Sequence, residues 1–280
     1  MSNLYMFRIK VIETNQITLF KTSSDRTKLL TKIINEKPSV ELRKGYIWHI
    51  GNVDNIGDDG LLFAVGRTTK TSKELYDDAT GNFLEVDDVE SPFTHILFDK
   101  YYSTLGIVPK RRLAPTVKGI ARNLEKLLNH HSIPQNEGIR IEISEIPDPE
   151  GFLHHIQTAY QVTSYTVEFG EPNPFDVDDD FHRPMENYLR ATGGQNGKTT
   201  VSGEDLNRDS IERVTRSIAS TGKNAKARIK EGPDQRPVSK SLNGNPVQIP
   251  FSEEDKNDMK VLLERFKKAY EEVRGRNNHD

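Results

Sequence analysis

The sequence predicts an α+β protein: mainly antiparallel sheets, helices packed on them, and a long helix at the C-terminal end. Three observations predict it. Short β-branched and aromatic runs broken by glycine fill the first hundred residues. Helical periodicity follows, interleaved with further strand-like runs, which suggests antiparallel rather than parallel sheets. A last apolar stripe, Met259, Leu262, Leu263, Phe266, Tyr270 and Val273, closes the chain.

Leu4 to Val11 alternates and predicts a first strand. Ser23 or Ser24 caps an expected helix from Asp25 to Glu36, with Leu29, Leu30, Ile33 and Ile34 on one face and Lys37-Pro38 ending it. Val40 to Arg43, Tyr46 to Val53 and Leu61 to Thr69 read as strands, and Asp58-Asp59-Gly60 as a turn, because glycine takes positive φ at no steric cost. Lys70 to Val89 is a polar stretch with Gly81-Asn82 at its centre, and Phe93 to Asp99 and Ser103 to Val108 are strands.

Leu113, Val117, Ile120, Leu124, Leu127 and Leu128 repeat at helical spacing and predict a helix over Ala114 to His131. Beyond it the pattern predicts a strand at Ile139 to Ile146, a short helix at Pro149 to Tyr160 and a strand at Val162 to Phe169. Pro184 opens a helix through Ala191. A loop at Gly193 to Gly197 leads to a short strand at Thr199 to Ser202. Asn207 to Thr221 is a helix stopped by Gly222, and Ala225 to Ile229 a strand. Pro233, Pro237 and two glycines make Glu231 to Asn245 a mobile loop or linker. Ser252 is the expected cap of the last helix, from Glu253 to about Arg274. The expected division is a β-rich α+β region over 1–110 and a second α+β region over 111–280, which carries basic helices and the loop near 231–245.

Composition excludes whole classes of chemistry. The 280 residues contain no cysteine, which removes disulfides, thiol nucleophiles, thiolate zinc sites and iron–sulfur clusters. The longest purely apolar run, Leu61 to Val65, is far short of the roughly 20 residues of a membrane helix. Arg8 and Lys10 interrupt the apolar residues of the first segment, a strand pattern and not a signal peptide. A cytoplasmic protein without membrane contact is the expectation.

The net charge of −3 conceals separate blocks. Asp54 to Glu90 holds ten acidic and three basic residues, and Glu168 to His182 six acidic and no lysine or arginine. Lys110 to Lys126 holds six basic residues and one acidic, and Asn207 to Lys240 nine and four. Such segregation makes a dipolar field that can steer a partner or pair two subunits.

Candidate sites follow from the same blocks. Arg111 and Arg112 precede a helix on which Lys118, Arg122 and Lys126 fall at i, i+4 and i+8, one continuous stripe. Arg213, Arg216, Lys226 and Arg228 form the core of the second basic tract. These nine are the candidate phosphate contacts; ordinary solvated faces balanced by the acidic blocks are the alternative. Asp176, Asp178, Asp180 and His182 would point to one side of an extended chain, and their oxygens and imidazole suit Mg²⁺, Mn²⁺ or Ca²⁺. An EF-hand is excluded because Phe181 and Asn187 stand where Gly and Glu are needed. The tract Arg190 to Thr200 imitates a phosphate-binding loop, but Thr192 replaces the first Gly, and a helix precedes it where a strand is required. Gly-x-Ser-x-Gly is absent and the histidines are scattered.

The order of segments carries a resemblance. The Leu4 to Val11 strand, the Gly66-Arg-Thr-Thr69 strand, Phe83-Leu84-Glu85 with its acidic stretch, Phe93 to Asp99, the helix from Ala114, Asn173-Pro174 and the late basic helices resemble the RexA family of phage-exclusion proteins and related proteins of prophages and defence islands. That resemblance implies a homodimer that binds nucleic acid, DNA or RNA, with little sequence preference and acts in antiviral defence; it implies no catalytic residues and no cofactor. The expectation is therefore a sequence-nonspecific nucleic-acid-binding protein of anti-phage defence or phage exclusion. The alternatives are a nuclease or hydrolase using Mg²⁺ or Mn²⁺ at the acidic cluster, and an antitoxin-like or scaffold component that binds another defence-system protein.

Overall fold

The computed structural model describes residues 2–13, 23–170, 181–252 and 254–275. The order is β1 (Ser2–Glu13), α1 (Ser23–Asn35), β2 (Ser39–Arg43), β3 (Tyr46–Ile56), β4 (Gly60–Asp77), β5 (Asn82–Glu90), β6 (Phe93–Asp99) and β7 (Thr104–Ile107). Then come α2 (Val117–Asn129), α3 (Ser132–Glu137), β8 (Ile139–Glu145), α4 (Glu150–Thr158), β9 (Gln161–Gly170), α5 (His182–Thr192) and β10 (Asn196–Ser202). The chain closes with α6 (Arg208–Ser220), β11 (Ala225–Lys230), β12 (Val238–Ser241), β13 (Gln248–Phe251), a 3-10 turn (Glu254–Asn257) and α7 (Met259–Arg274). The fold is α+β with antiparallel sheets throughout, as the sequence predicts.

The larger sheet runs β13-β1-β7-β6-β4-β3-β2, with β5 added to β4 and β8 to β1. It is curled. α2 touches β8 at one end of this order and β2 and β3 at the other, which a flat sheet of that width forbids. β1 shows how the sheet serves two cores. Successive side chains of a strand point to opposite faces. Phe7, Ile9 and Val11 join α1, α2 and the inner faces of β3, β4, β6, β7 and β8, while Leu4 and Met6 join the layer formed by α4, α6, α7 and the second sheet. Arg8 shares that second face and is fully buried; its Nη1 donates to the Tyr270 hydroxyl of α7 at 2.6 Å.

α2 buries Ile120, Ala121, Leu124, Leu127 and Leu128 in the curl, and Thr116 caps it by accepting from the Gly119 amide. Two polar residues on α2 treat the outer edge of β8 as one more strand would. The Asn129 amide donates to the Ile141 carbonyl at 2.7 Å and accepts the Ile141 N–H at 2.9 Å; Glu125 accepts the Ile143 N–H at 2.6 Å. The edge is thereby blunted.

The smaller sheet has order β10-β9-β11-β12. Val162, Tyr165, Val167 and Phe169 of β9 and Ala225, Ala227 and Ile229 of β11 turn to the core, where the Tyr165 hydroxyl meets Thr215 of α6 at 2.8 Å.

Several expectations change. β4 continues to Asp77 and pairs with β5, so the polar stretch from Lys70 to Val89 is a hairpin; its side chains are exposed on both faces, which hides the alternation a half-buried strand shows. The tract from Glu231 to Asn245 contains the edge strand β12. Asp258, not Ser252, caps α7; Ser252 instead exchanges hydrogen bonds with Asp255 at the 3-10 turn. Position 110 lies between β7 and α2, and the larger sheet takes strands from both sides of it. No helix among the described residues is long and apolar enough to cross a membrane.

Two outcomes are expected. Asn129→Leu leaves both Ile141 backbone groups without their partner and lowers stability by about 1–3 kcal/mol, read from urea unfolding. Asp99, at the end of β6, is raised to about 6 by burial, against the pull of the Tyr101 amide, the Lys267 charge and the Tyr102 amide. Its contribution to stability is full below the ordinary carboxylate value and is lost as pH rises through about 6. Asp99→Asn therefore gains on the native protein between pH about 4 and about 7, by up to about 3 kcal/mol; urea midpoints of both at the two pH values measure it.

Candidate nucleic-acid interface

The register of the smaller sheet decides which of its side chains share the outer face. β9 pairs Thr166 with Thr200 of β10 and with Lys226 of β11, and Lys226 pairs with Ser241 of β12. The next row is Ser202, Ser164, Arg228 and Ser239. Each row crosses all four strands and holds three hydroxyls and one cation, over about 15 Å at the usual strand spacing. The rows are internally bonded: Thr166 to Thr200 at 2.9 Å, and Ser202 to Ser164 at 3.3 Å. Lys198, opposite Glu168, extends the face, and Lys223 lies across Gly170 with its ammonium on the Asn196 side-chain oxygen at 2.8 Å.

This face is open because the opposite one is committed. Alternation along β11 keeps Ala225, Ala227 and Ile229 inward while Lys226 and Arg228 stay exposed, and the bulge opposite Arg228/Ile229 lets Val162 of β9 face the core as Tyr165 does. At the other end Phe169 fills the space over Gly197, where a side chain would collide with its ring. Among the described residues Lys198, Lys226 and Arg228 make no ion pair.

The nine candidate contacts separate. Lys226 and Arg228 come together on the open sheet face. Lys118, Arg122 and Lys126 form an exposed stripe on the solvent side of α2, with Lys118 held to Glu145 of β8 at 2.9 Å. Arg111 is exposed between β7 and α2, and Arg112 pairs with Glu90 at 2.6 Å. Arg213 is exposed on α6. Arg216 turns inward, donating to Glu150 of α4 at 2.7 Å and Glu212 at 2.9 Å. The stripe and the sheet approach each other: Gly222, at φ 69°, packs on Ser144 and Glu145, next to Lys223 on one side and Lys118 on the other.

Two further cations join the face: Lys223, which belongs to the second basic tract but is not one of the nine candidates, and Lys198. Lys198 stands in the tract dismissed as an imitation phosphate loop, and nothing local in the sequence ties it to β11. That tract is a helix end, a turn at Gly193 and the strand β10, as its context implies. Asp176, Asp178 and Asp180 lie outside the described residues, as does the side chain of His182. Among the described residues no group of three His, Asp or Glu could hold a metal ion.

Two of the histidines hold structure. His49 bridges Ser39 at 2.7 Å and Thr68 at 2.9 Å across β2, β3 and β4; His131 caps α3 and meets Glu36 at 2.9 Å. Arg216→Ala is expected to cost about 1 kcal/mol or less, because Glu150 is largely exposed and Glu212 keeps the Gln157 amide, and to leave the nucleic-acid affinity of the folded protein unchanged; thermal unfolding and titration read the two effects.

None of the curated proteins compared with the chain matches it. A family model matches residues 5–222, from β1 through the turn after α6, and so includes the α2 stripe and Lys198 while Lys226 and Arg228 follow its end. The chain belongs to that family, the domain of unknown function DUF4747.

Proposed function

We propose that the protein binds nucleic acid, DNA or RNA, through the sugar–phosphate backbone on the open face of the smaller sheet. The observation that carries this reading is the pair of cross-strand rows in which Lys226 and Arg228 each stand among three hydroxyls. Lysine, arginine, serine and threonine are the side chains that phosphate and sugar contacts use, and such contacts position a ligand without reading its bases. The aromatic residues of the sheet, Tyr165 and Phe169, face the core, so the face offers cations and hydroxyls but no stacking platform. That favours binding with little sequence preference.

The α2 stripe supports the same reading as a continuation of the track, since Lys118 and Lys223 flank one contact between β8 and the α6–β11 turn. The resemblance to RexA-type phage-exclusion proteins supports placing this binding in defence against phage.

Titration of labelled single- and double-stranded DNA and RNA between about 50 and about 200 mM salt tests it. Contacts by Lys198, Lys223, Lys226 and Arg228 give a slope of log affinity on log salt of about −3.6 on duplex DNA and about −2.8 on single strands. Lys226→Glu with Arg228→Glu weakens binding at least about tenfold, and neutralising one cation reduces the slope by about 1. Unchanged affinity in the double variant removes this face from consideration. Parallel samples with Mg²⁺ and with chelator, checked for cleavage, separate a binder from a metal-dependent nuclease.

A further inference from the structure

The β4–β5 hairpin leaves the body of the larger sheet. The pairing of β3 with β4 ends at Tyr46↔Thr69 and that of β6 at Gly66↔Phe93, so from Lys70 to Val89 the two strands have only each other. The eight residues Lys70 to Asp77 span about 27 Å of ribbon. A two-stranded hairpin is marginal in water, yet this one exposes Leu75, Tyr76, Phe83, Leu84, Val86 and Val89.

Its faces differ. On one, Leu75 and Leu84 stand directly opposite each other and hold the ribbon together. On the other, Tyr76 and Phe83 pack with ring centroids 5.2 Å apart, and Phe83 is 82% exposed. Beside them Glu74 lies directly opposite Glu85, and Asp87 follows two residues along. Carboxylates facing each other across strands repel, and although Ser72 donates to Glu85 and Lys70 shares the face, further cations would stabilise it.

We propose that this face docks on the open face of the smaller sheet in a second copy of the chain, with Glu85 and Asp87 against Lys226 and Arg228. The proposal uses the same sheet face as the nucleic-acid reading and adds its regulation, because the docked ribbon covers the cations that phosphates would contact.

Charge identifies the occupant. Between Lys70 and Glu90 there are seven acidic residues and two basic ones. The sheet face carries Lys198, Lys223, Lys226 and Arg228 with Glu168 as its acidic member. Spacing agrees as well: each pair lies two residues apart on a strand, about 6.8 Å. The Tyr76–Phe83 pair offers ring faces to the Arg228 guanidinium or a lysine stem. Two such contacts related by a two-fold axis close a dimer. Ribbon against ribbon would instead bring acid against acid.

The test is sedimentation of the full chain without nucleic acid, at rising protein concentration and at about 50 and about 500 mM salt. The native protein dimerises, at least about tenfold more weakly at the higher salt. The Glu85→Lys/Asp87→Lys variant and the Lys226→Glu/Arg228→Glu variant are each monomeric. Mixed in equal amounts they form a dimer, since one supplies a basic ribbon and basic face and the other an acidic ribbon and acidic face, so both contacts regain complementarity. A native protein that stays monomeric, a single variant that still dimerises or a mixture that stays monomeric overturns the proposal. The ribbon variant keeps the basic face, so it binds nucleic acid at least as tightly as the native protein if that reading holds. Should it bind none while the mixture still dimerises, the nucleic-acid reading fails and the docking contact stands.

Discussion

The docking of α2 inside the curled sheet is the constraint on which the rest of the structure depends. Five apolar side chains of the helix fill the curl, and Asn129 and Glu125 complete the outer edge of β8. An apolar helix face alone slides along a sheet at little cost, whereas hydrogen bonds to particular backbone groups of Ile141 and Ile143 set one position. With β8 held against β1, the far face of β1 presents Leu4 and Met6 to α7 and the second sheet. The buried Arg8–Tyr270 bond ties β1 to α7 across that interface.

The open face of the smaller sheet is a consequence of this layering. Its inner face must meet the shared core, so Tyr165, Val167, Ala227 and Ile229 are committed there. Strand alternation sends the intervening residues outward, and in this chain those are cations and small hydroxyls. A face of short polar side chains with a few long cations offers charge and hydrogen bonds rather than apolar area, so it suits a phosphate chain or an acidic surface. The acidic ribbon has a charge opposite to that of the face, which is why occupation by nucleic acid and by a second copy compete in the proposed scheme.

Much of the fold is legible in the residues. α2, α6 and α7 each carry a long apolar period against one packed surface, and the structure places all three where that period predicts; β1 is placed where its apolar run predicts and is buried on both faces. Elements without a committed face are the ones that are missed. The outer half of β4 with β5 is exposed on both sides, and β12 is a four-residue edge strand, so neither shows a period. The cap of α7 shows a related limit: Ser252 and Asp258 are both good caps, and the choice is made by Ser252 engaging Asp255.

The sequence by itself determined the fold class, the absence of thiol chemistry, the separation of charge into blocks and the stripe Lys118, Arg122 and Lys126, because composition and helical period are local properties. Only the tertiary structure decided that Lys198 joins Lys226 and Arg228, that Arg216 belongs to an internal ion pair, and that the acidic segment projects as a ribbon. Those outcomes rest on strand register and on contacts between residues far apart in the chain. Register is set by the burial of one sheet face and the bulge at Arg228, neither of which any single segment specifies.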